Sequence, residues 1–282
     1  MSKVAIVTDS TAYIPKEYLD KYHILVAPQI LIWGEENFED GVNIMPKEFY
    51  TRLKTAKVMP SSSQATPKYF HKLFGDLLLQ EYQILSILIS TKLSGTIASA
   101  IQAKEFFPEA PIEIVDSHST AMAMGFQILA VARAAENGAS LKECVALAEN
   151  SRQYTGVVFA VDTLEFLHRG GRIGGATRFL GTALKLKPIL ELIDGRVEPI
   201  ERVRTRNKSL ERLVELTEDR IGGRQPVRLA ALHANAEEDA NVLFDLARDR
   251  IHSIEQILAE VSPVVGTHAG PGTVALAFMA GM

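Results

Sequence analysis

Apolar residues in the first half of the chain fall in short unbroken runs: Val4 to Thr8, His23 to Pro28, Ile84 to Ile89 and Ile112 to Val115, each rich in Val, Ile and Leu. Runs of this length bounded by polar residues predict buried strands. Between and after them the apolar positions change to helical spacing, over Pro15 to Tyr22, Pro46 to Thr55, Pro67 to Glu81, Gly95 to Phe107, Ala121 to Asn137 and Leu141 to Arg152. Gly138 supplies a helix stop. Strands alternating with helices predict a parallel sheet covered on both faces. The segment Gln29 to Met45 is more strand-like, and its Gly34-Glu35-Glu36-Asn37 turn predicts a protruding hairpin.

The second half has another rhythm. Gly156 to Val161 reads as a strand, and Lys187 to Ile193 and Arg196 to Val203 flank Asp194-Gly195, a strong hairpin signal. A helix over Asn207 to Ile221 follows, ending in Gly222-Gly223, then a strand over Val227 to His233, a helix over Glu237 to Asp249 and a strand over Ile254 to Val261. A short strand around Val264 and a last helix after Pro271 complete the pattern. The class is therefore α/β with two domains: an N-terminal α/β/α domain with a parallel sheet over 1–154, and a C-terminal two-layer α/β domain with a mixed sheet, helices mainly on one face, over 155–282.

Composition narrows the partners. The 282 residues are 47% hydrophobic, enough for a large core in two closely packed domains. A net charge of −4 gives no global attraction to nucleic acid or an anionic membrane. The chain passes from Met1-Ser2-Lys3 into Val4 without a signal h-region, and no apolar stretch reaches membrane-spanning length, so no stable membrane insertion and a cytoplasmic setting are expected. The single cysteine, Cys144, sits in an amphipathic helical pattern with no activating cation nearby in sequence, which predicts a structural thiol.

In open parallel sheets the ligand crevice lies beyond the carboxyl ends of the strands. Those ends are rich in hydroxyls here: Thr8-Asp9-Ser10-Thr11, Ser90-Thr91-Lys92-Leu93-Ser94-Gly95-Thr96 and Asp116-Ser117-His118-Ser119-Thr120, with Ser61-Ser62-Ser63-Gln64 ahead of a further helix. Any one of these loops is explained by helix N-capping. Several together, with free backbone N–H groups at helix starts, predict a site for a carboxylate or phosphate oxygen, and Ser94, Gly95 and Thr96 are its leading candidates. The glycine-rich stretch Arg169-Gly170-Gly171-Arg172-Ile173-Gly174-Gly175 lacks both the Walker and the dinucleotide spacing. Arg169 and Arg172 read as a cationic lip beside the anion site or as a solvated turn. His268, between glycines and ahead of the expected last helix, reads as little buried and placed to meet a ligand.

Enzyme signatures are sparse. No Gly-x-Ser-x-Gly elbow surrounds Ser94, and the seven histidines show no paired metal-ligand spacing, so neither a metal nor another cofactor is expected. Asp9 and Asp116 fit strand-end caps as well as they fit paired carboxylates.

Taken in order, Thr8-Asp9-Ser10, Ser62-Ser63-Gln64, Leu93-Ser94-Gly95-Thr96, Asp116-Ser117, Leu164-Glu165-Phe166-Leu167 with Arg169-Gly170-Gly171-Arg172-Ile173, Arg204-Thr205 and Gly266-Thr267-His268 with Gly270-Pro271-Gly272 resemble the DegV family along the whole chain. The resemblance implies a DegV-like two-domain fold enclosing an acyl chain. It also implies a carrier, not itself a catalyst, that binds a long-chain fatty acid and presents its carboxylate to a fatty acid kinase catalytic subunit for acyl-phosphate formation. Carboxylate-binding hydroxyls carry over to Ser62 and Ser94, backbone N–H to Gly95, and the family histidine to His268. Ser62 and Ala65 stand where the family commonly has Thr and Pro. Arg169, Arg172, Arg202 and Arg204 are candidates for partner or phosphate contact, though Glu198, Glu201 and Glu211 among them fit a solvated face. A small-molecule phosphotransferase or acyl hydrolase using the same pocket is the alternative, and a regulatory module read by another protein is a third possibility.

Overall fold

The computed structural model describes residues 3–181 and 186–282. The first half runs β1 (Val4–Asp9), α1 (Lys16–Lys21), β2 (Leu25–Ala27), β3 (Ile30–Trp33), β4 (Glu36–Glu39), α2 (Pro46–Leu53), β5 (Ser61–Ser63), α3 (Pro67–Leu78), β6 (Gln83–Leu88), α4 (Thr96–Lys104), β7 (Ile112–Asp116), α5 (Ala121–Glu136) and α6 (Leu141–Ser151). The second runs β8 (Thr155–Ala160), α7 (Glu165–Arg169), β9 (Lys187–Ile193), β10 (Arg196–Val203), α8 (Arg206–Ile221), β11 (Val227–His233), α9 (Glu237–Arg250), β12 (Glu255–Glu260), α10 (Pro263–Ala269) and β13 (Val274–Ala280).

Strands β2-β1-β6-β7 form a parallel four-stranded sheet. One face packs Val7, Ile84 and Leu88 against Phe70 and Phe74 of α3 and Ala100 of α4. The other packs Ile6, Leu85 and Ile87 against α5 and α6, where Cys144 is fully buried. Strands β10-β9-β8-β13-β11-β12 form the mixed sheet, with only β11 and β12 parallel. Its outer face, through Val158, Leu229 and Leu276, meets Leu213 of α8 and Leu243 of α9. Its inner face, through Val157, Leu232 and Ala275, joins the core around α5. Helix α5 explains this sharing: AMAMGFQILAVA has no polar stripe, and a helix apolar all round must be covered on every side.

The expected hairpin is β3 and β4, with a third strand, β5, paired antiparallel to β3. Ser62 therefore sits on a strand, opposite Leu31, and not in an irregular loop.

Two expectations near the C-terminus are corrected. The segment around Val264 is a helix, not a strand. Pro263 occupies its first turn, the Asp40 carboxylate receives the Val264 N–H at 3.1 Å, and Gly266 lets the helix lie against Phe49 and Tyr50, where a Cβ would approach the Tyr50 hydroxyl to 2.4 Å. The segment after Pro271 is a strand, not a helix. Its Ala-rich composition favours a helix locally, but Val274–Ala280 is buried throughout and pairs with strands on both sides, where a continuous apolar run is the pattern of a central strand. His268 consequently lies in the last turn of α10 ahead of a strand, and it is half-buried rather than exposed in a glycine turn.

Candidate functional site

A cavity, about 950 Å³ when the solvent space at its open side is included, lies between the carboxyl ends of the parallel sheet and the inner face of the mixed sheet. One wall is apolar and crosses successive strands: Val197 of β10, Leu192 of β9, Phe159 of β8, Ala275 of β13 and Leu232 of β11. At about 4.8 Å per strand, that wall is ~19 Å wide. The opposite lining carries the polar groups Ser62, Ser63, Ser94, Gln29, His268 and Arg172.

Ser94 is held from behind by a relay. Gln29, 2% exposed, accepts the Ala65 N–H at its Oε1 at 3.1 Å, which turns its amide so that Nε2 donates to Thr96 Oγ1 at 2.8 Å. Thr96 Oγ1 in turn stands 2.8 Å from Ser94 Oγ. Thr96 Oγ1 also lies 3.2 Å from Gln29 Oε1, so its proton has two acceptors, and the Ser94 hydroxyl is free to turn toward an acceptor in the cavity. Gly95 is the N-cap of α4, so the first amides of that helix have no intrahelical acceptor. A Cβ at Gly95 would stand 3.3 Å from the Gln64 side chain, so the glycine makes room for a neighbour rather than for an unusual φ.

Ser62 faces His268, with Oγ and Nε2 2.5 Å apart. The other ring nitrogen, Nδ1, is buried without a hydrogen-bond partner and lies against Gly170, where a Cβ would come within 2.0 Å of it. An unpaired buried N–H is costlier than an unpaired acceptor, so the favoured tautomer carries the proton on Nε2 and donates to Ser62. The Ser62 proton is then free as well. Burial, reinforced by the Arg172 charge, pushes the His268 pKa down to about 4, which keeps the ring neutral at physiological pH.

This depression has a testable sign. Between about pH 6.5 and 4 the unfolded chain takes a proton at His268 that the folded protein refuses, so this contribution to stability is lost as pH falls through that window. Wild type is expected to lose roughly 1–2 kcal/mol more than His268→Asn on going from pH 7 to pH 5, allowing for partial solvent screening. Urea unfolding of both proteins at the two pH values checks it. Equal losses would show that His268 is not held neutral by the fold.

The arginines divide. Arg172 lines the cavity, donating from Nε to Leu93 O at 2.9 Å and from Nη1 to Gly170 O at 2.7 Å, and so ties the glycine-rich segment to the loop that carries Ser94. Arg169 is exposed and paired with Glu165, Arg202 is exposed with its guanidinium 4.6 Å above the Phe179 ring, and Arg204 is exposed. None of these three lines the cavity. Gln29 was absent from the sequence-derived candidates. It follows the second apolar run directly, so the strand-end rule pointed to it, but a search for hydroxyls passes over an amide. Among the described residues no group of His, Cys, Asp and Glu is arranged to hold a metal ion, and no helix is long and apolar enough to cross a membrane.

Comparison with known proteins places this geometry in a family context. A family model described as "Uncharacterised protein, DegV family" matches residues 3–281. A DegV domain-containing protein of Streptomyces coelicolor is 39% identical over 271 residues, covering 95% of each chain. Among solved structures, a DegV family protein from Thermus thermophilus, described by its fatty-acid binding, superposes with a TM-score of 0.93 at 32% identity over 99% of both chains. DegV of Bacillus subtilis, described as a fatty acid binding protein, superposes with a TM-score of 0.88 at 32% identity, over 99% of this chain and 100% of that one.

Proposed function

Because this chain belongs to the DegV family over residues 3–281, we propose that it holds one long-chain fatty acid in the cavity and presents the carboxylate to a separate ATP-dependent kinase. The observation that carries this reading is the pair of serine hydroxyls, Ser62 and Ser94, backed by His268 and Thr96, on a cavity whose other wall is apolar across ~19 Å of sheet. That wall suits an extended palmitoyl-sized chain. Its fourteen methylenes, at about 0.8 kcal/mol each, contribute a gross ~11 kcal/mol before ordering costs, ample for retention. Two neutral donors and the start of α4 suffice to orient a carboxylate without a tight ion pair, which leaves an oxygen available as a phosphoryl acceptor.

The Ser62–His268 pair also favours comparison with a hydrolase. A nucleophile of that kind needs a basic imidazole oriented by an acid, whereas His268 Nδ1 abuts Gly170 and its basicity is suppressed. These features support holding the ligand over cleaving it.

The kinase-facing part of the proposal assigns Arg172 to the incoming phosphate and the exposed Arg169, Arg202 and Arg204 to docking in a cytoplasmic setting. Arg204 should matter more than Arg169, whose charge is already balanced by Glu165. Arg204→Glu is expected to bind fatty acid within about twofold of wild type yet form acyl phosphate roughly tenfold more slowly with a cognate kinase and ATP. A normal rate in that assay would remove Arg204 from the docking face, and ATP turnover by this chain alone would overturn the carrier reading.

A further inference from the structure

Outside the residues that face the cavity, a buried carboxylate joins two of the elements that build it. Asp40, in the turn after β4, is 2% exposed. Its Oδ2 accepts the Ser10 hydroxyl at 2.7 Å and its Oδ1 accepts the Val264 N–H of α10 at 3.1 Å. Ser10 Oγ also accepts the Gln29 N–H at 3.1 Å. Gln29 leads through Thr96 to Ser94, and α10 leads within one turn to His268 and Ser62. These hydrogen bonds connect the Ser94 side of the lining to the His268–Ser62 side, and the link between Ser10 and α10 is the Asp40 carboxylate.

We infer that Asp40 is a positioning residue, which holds the Ser94 side of the carboxylate site, on the parallel-sheet half, in register with the His268–Ser62 side carried by α10. Bonds from neutral donors to a carboxylate are shorter and about twice as strong as neutral pairs, so this link is stiffer than an amide in its place would make it. Burial opposes the charge, pushing the Asp40 pKa up to about 6, with the Asp9 charge adding to the rise. A group kept at such a cost between two halves of one site does more there than fill space. Because it acts through Ser94 and His268, its effect on a ligand should vanish when the residue it positions is already gone.

The inference rests on the proposed carboxylate site, and a double-mutant cycle separates the two. Delipidated full-length protein is titrated with cis-parinarate, a fluorescent long-chain fatty acid, for wild type, Asp40→Asn, Ser94→Ala and the double variant. Asp40→Asn alone is expected to weaken binding about tenfold, and the double variant to be no more than two- to threefold weaker than Ser94→Ala. If the two factors multiply, or if Asp40→Asn binds like wild type while Ser94→Ala does not, the positioning role is wrong and the carboxylate site stands. A wild type that takes up no fatty acid removes the site and this inference together. Should Asp40→Asn fail to fold, Ser10→Ala, which deletes one of the donors to Asp40, replaces it in the cycle under the same criterion, with a loss of severalfold expected.

Discussion

Replacing Ser94 with alanine is expected to weaken fatty-acid binding by roughly ten- to a hundredfold, the equivalent of losing one hydrogen bond to a charged group at about 1.5–3 kcal/mol. The relay from Gln29 through Thr96 holds the Ser94 hydroxyl at the cavity before a ligand arrives, so little ordering is left for binding to do. Ser10→Ala should cost less, since Ser10 bonds Asp40 and Gln29 and does not line the cavity. Ser62→Ala combined with Ser94→Ala should be worse than either, because the carboxylate then keeps only the α4 amides and an imidazole N–H freed from Ser62. Fluorescent fatty-acid titration of wild type and the four variants checks the order. Equal affinities for wild type and Ser94→Ala would remove Ser94 from the site.

The apolar wall can be tested by filling it. Ala275 lies on β13, in the middle of the mixed sheet, and its methyl faces the cavity. Ala275→Phe places a ring in space the acyl chain would occupy. Because Ala275 lines the cavity, the ring points into it instead of overpacking the sheet, so the variant should melt at or above the temperature of delipidated wild type. Binding should fall by more than a hundredfold, from losing most of the methylene contacts at about 0.8 kcal/mol each. A folded Ala275→Phe that binds as well as wild type would place the chain elsewhere.

Much of this architecture is legible in the sequence because strand and helix periods differ where burial is one-sided. The runs at Val4, Ile84 and Ile112 predict the parallel sheet, and Asp194-Gly195 predicts the β9–β10 hairpin, both as found. The signal fails where burial is complete. Val274–Ala280 has no alternation to display, and its three alanines, Ala275, Ala277 and Ala280, look helical until strands on both sides are known. Val264 and Val265 look like strand, yet a proline in the first turn and a carboxylate from 224 residues away make them helix. The site shows the same division. Ser62, Ser94, His268 and Arg172 are readable as strand-end and glycine-flanked polar groups and meet at one cavity, with Thr96 buried behind Ser94. Gln29 and Asp40 are not readable in this way, because their role lies in long-range bonds that leave no local pattern. Gly170 was visible as a glycine but not as the floor beneath His268.

The central claim is that the cavity holds a fatty acid, and the most direct measurement is mass spectrometry of an organic extract of the purified protein, with Ala275→Phe purified alongside. The account predicts about one long-chain fatty acid per wild-type molecule and almost none in the variant, with added oleate or palmitate taken up only by wild type after delipidation. Wild-type extracts that contain no fatty acid, from protein that takes up neither oleate nor palmitate, would contradict it.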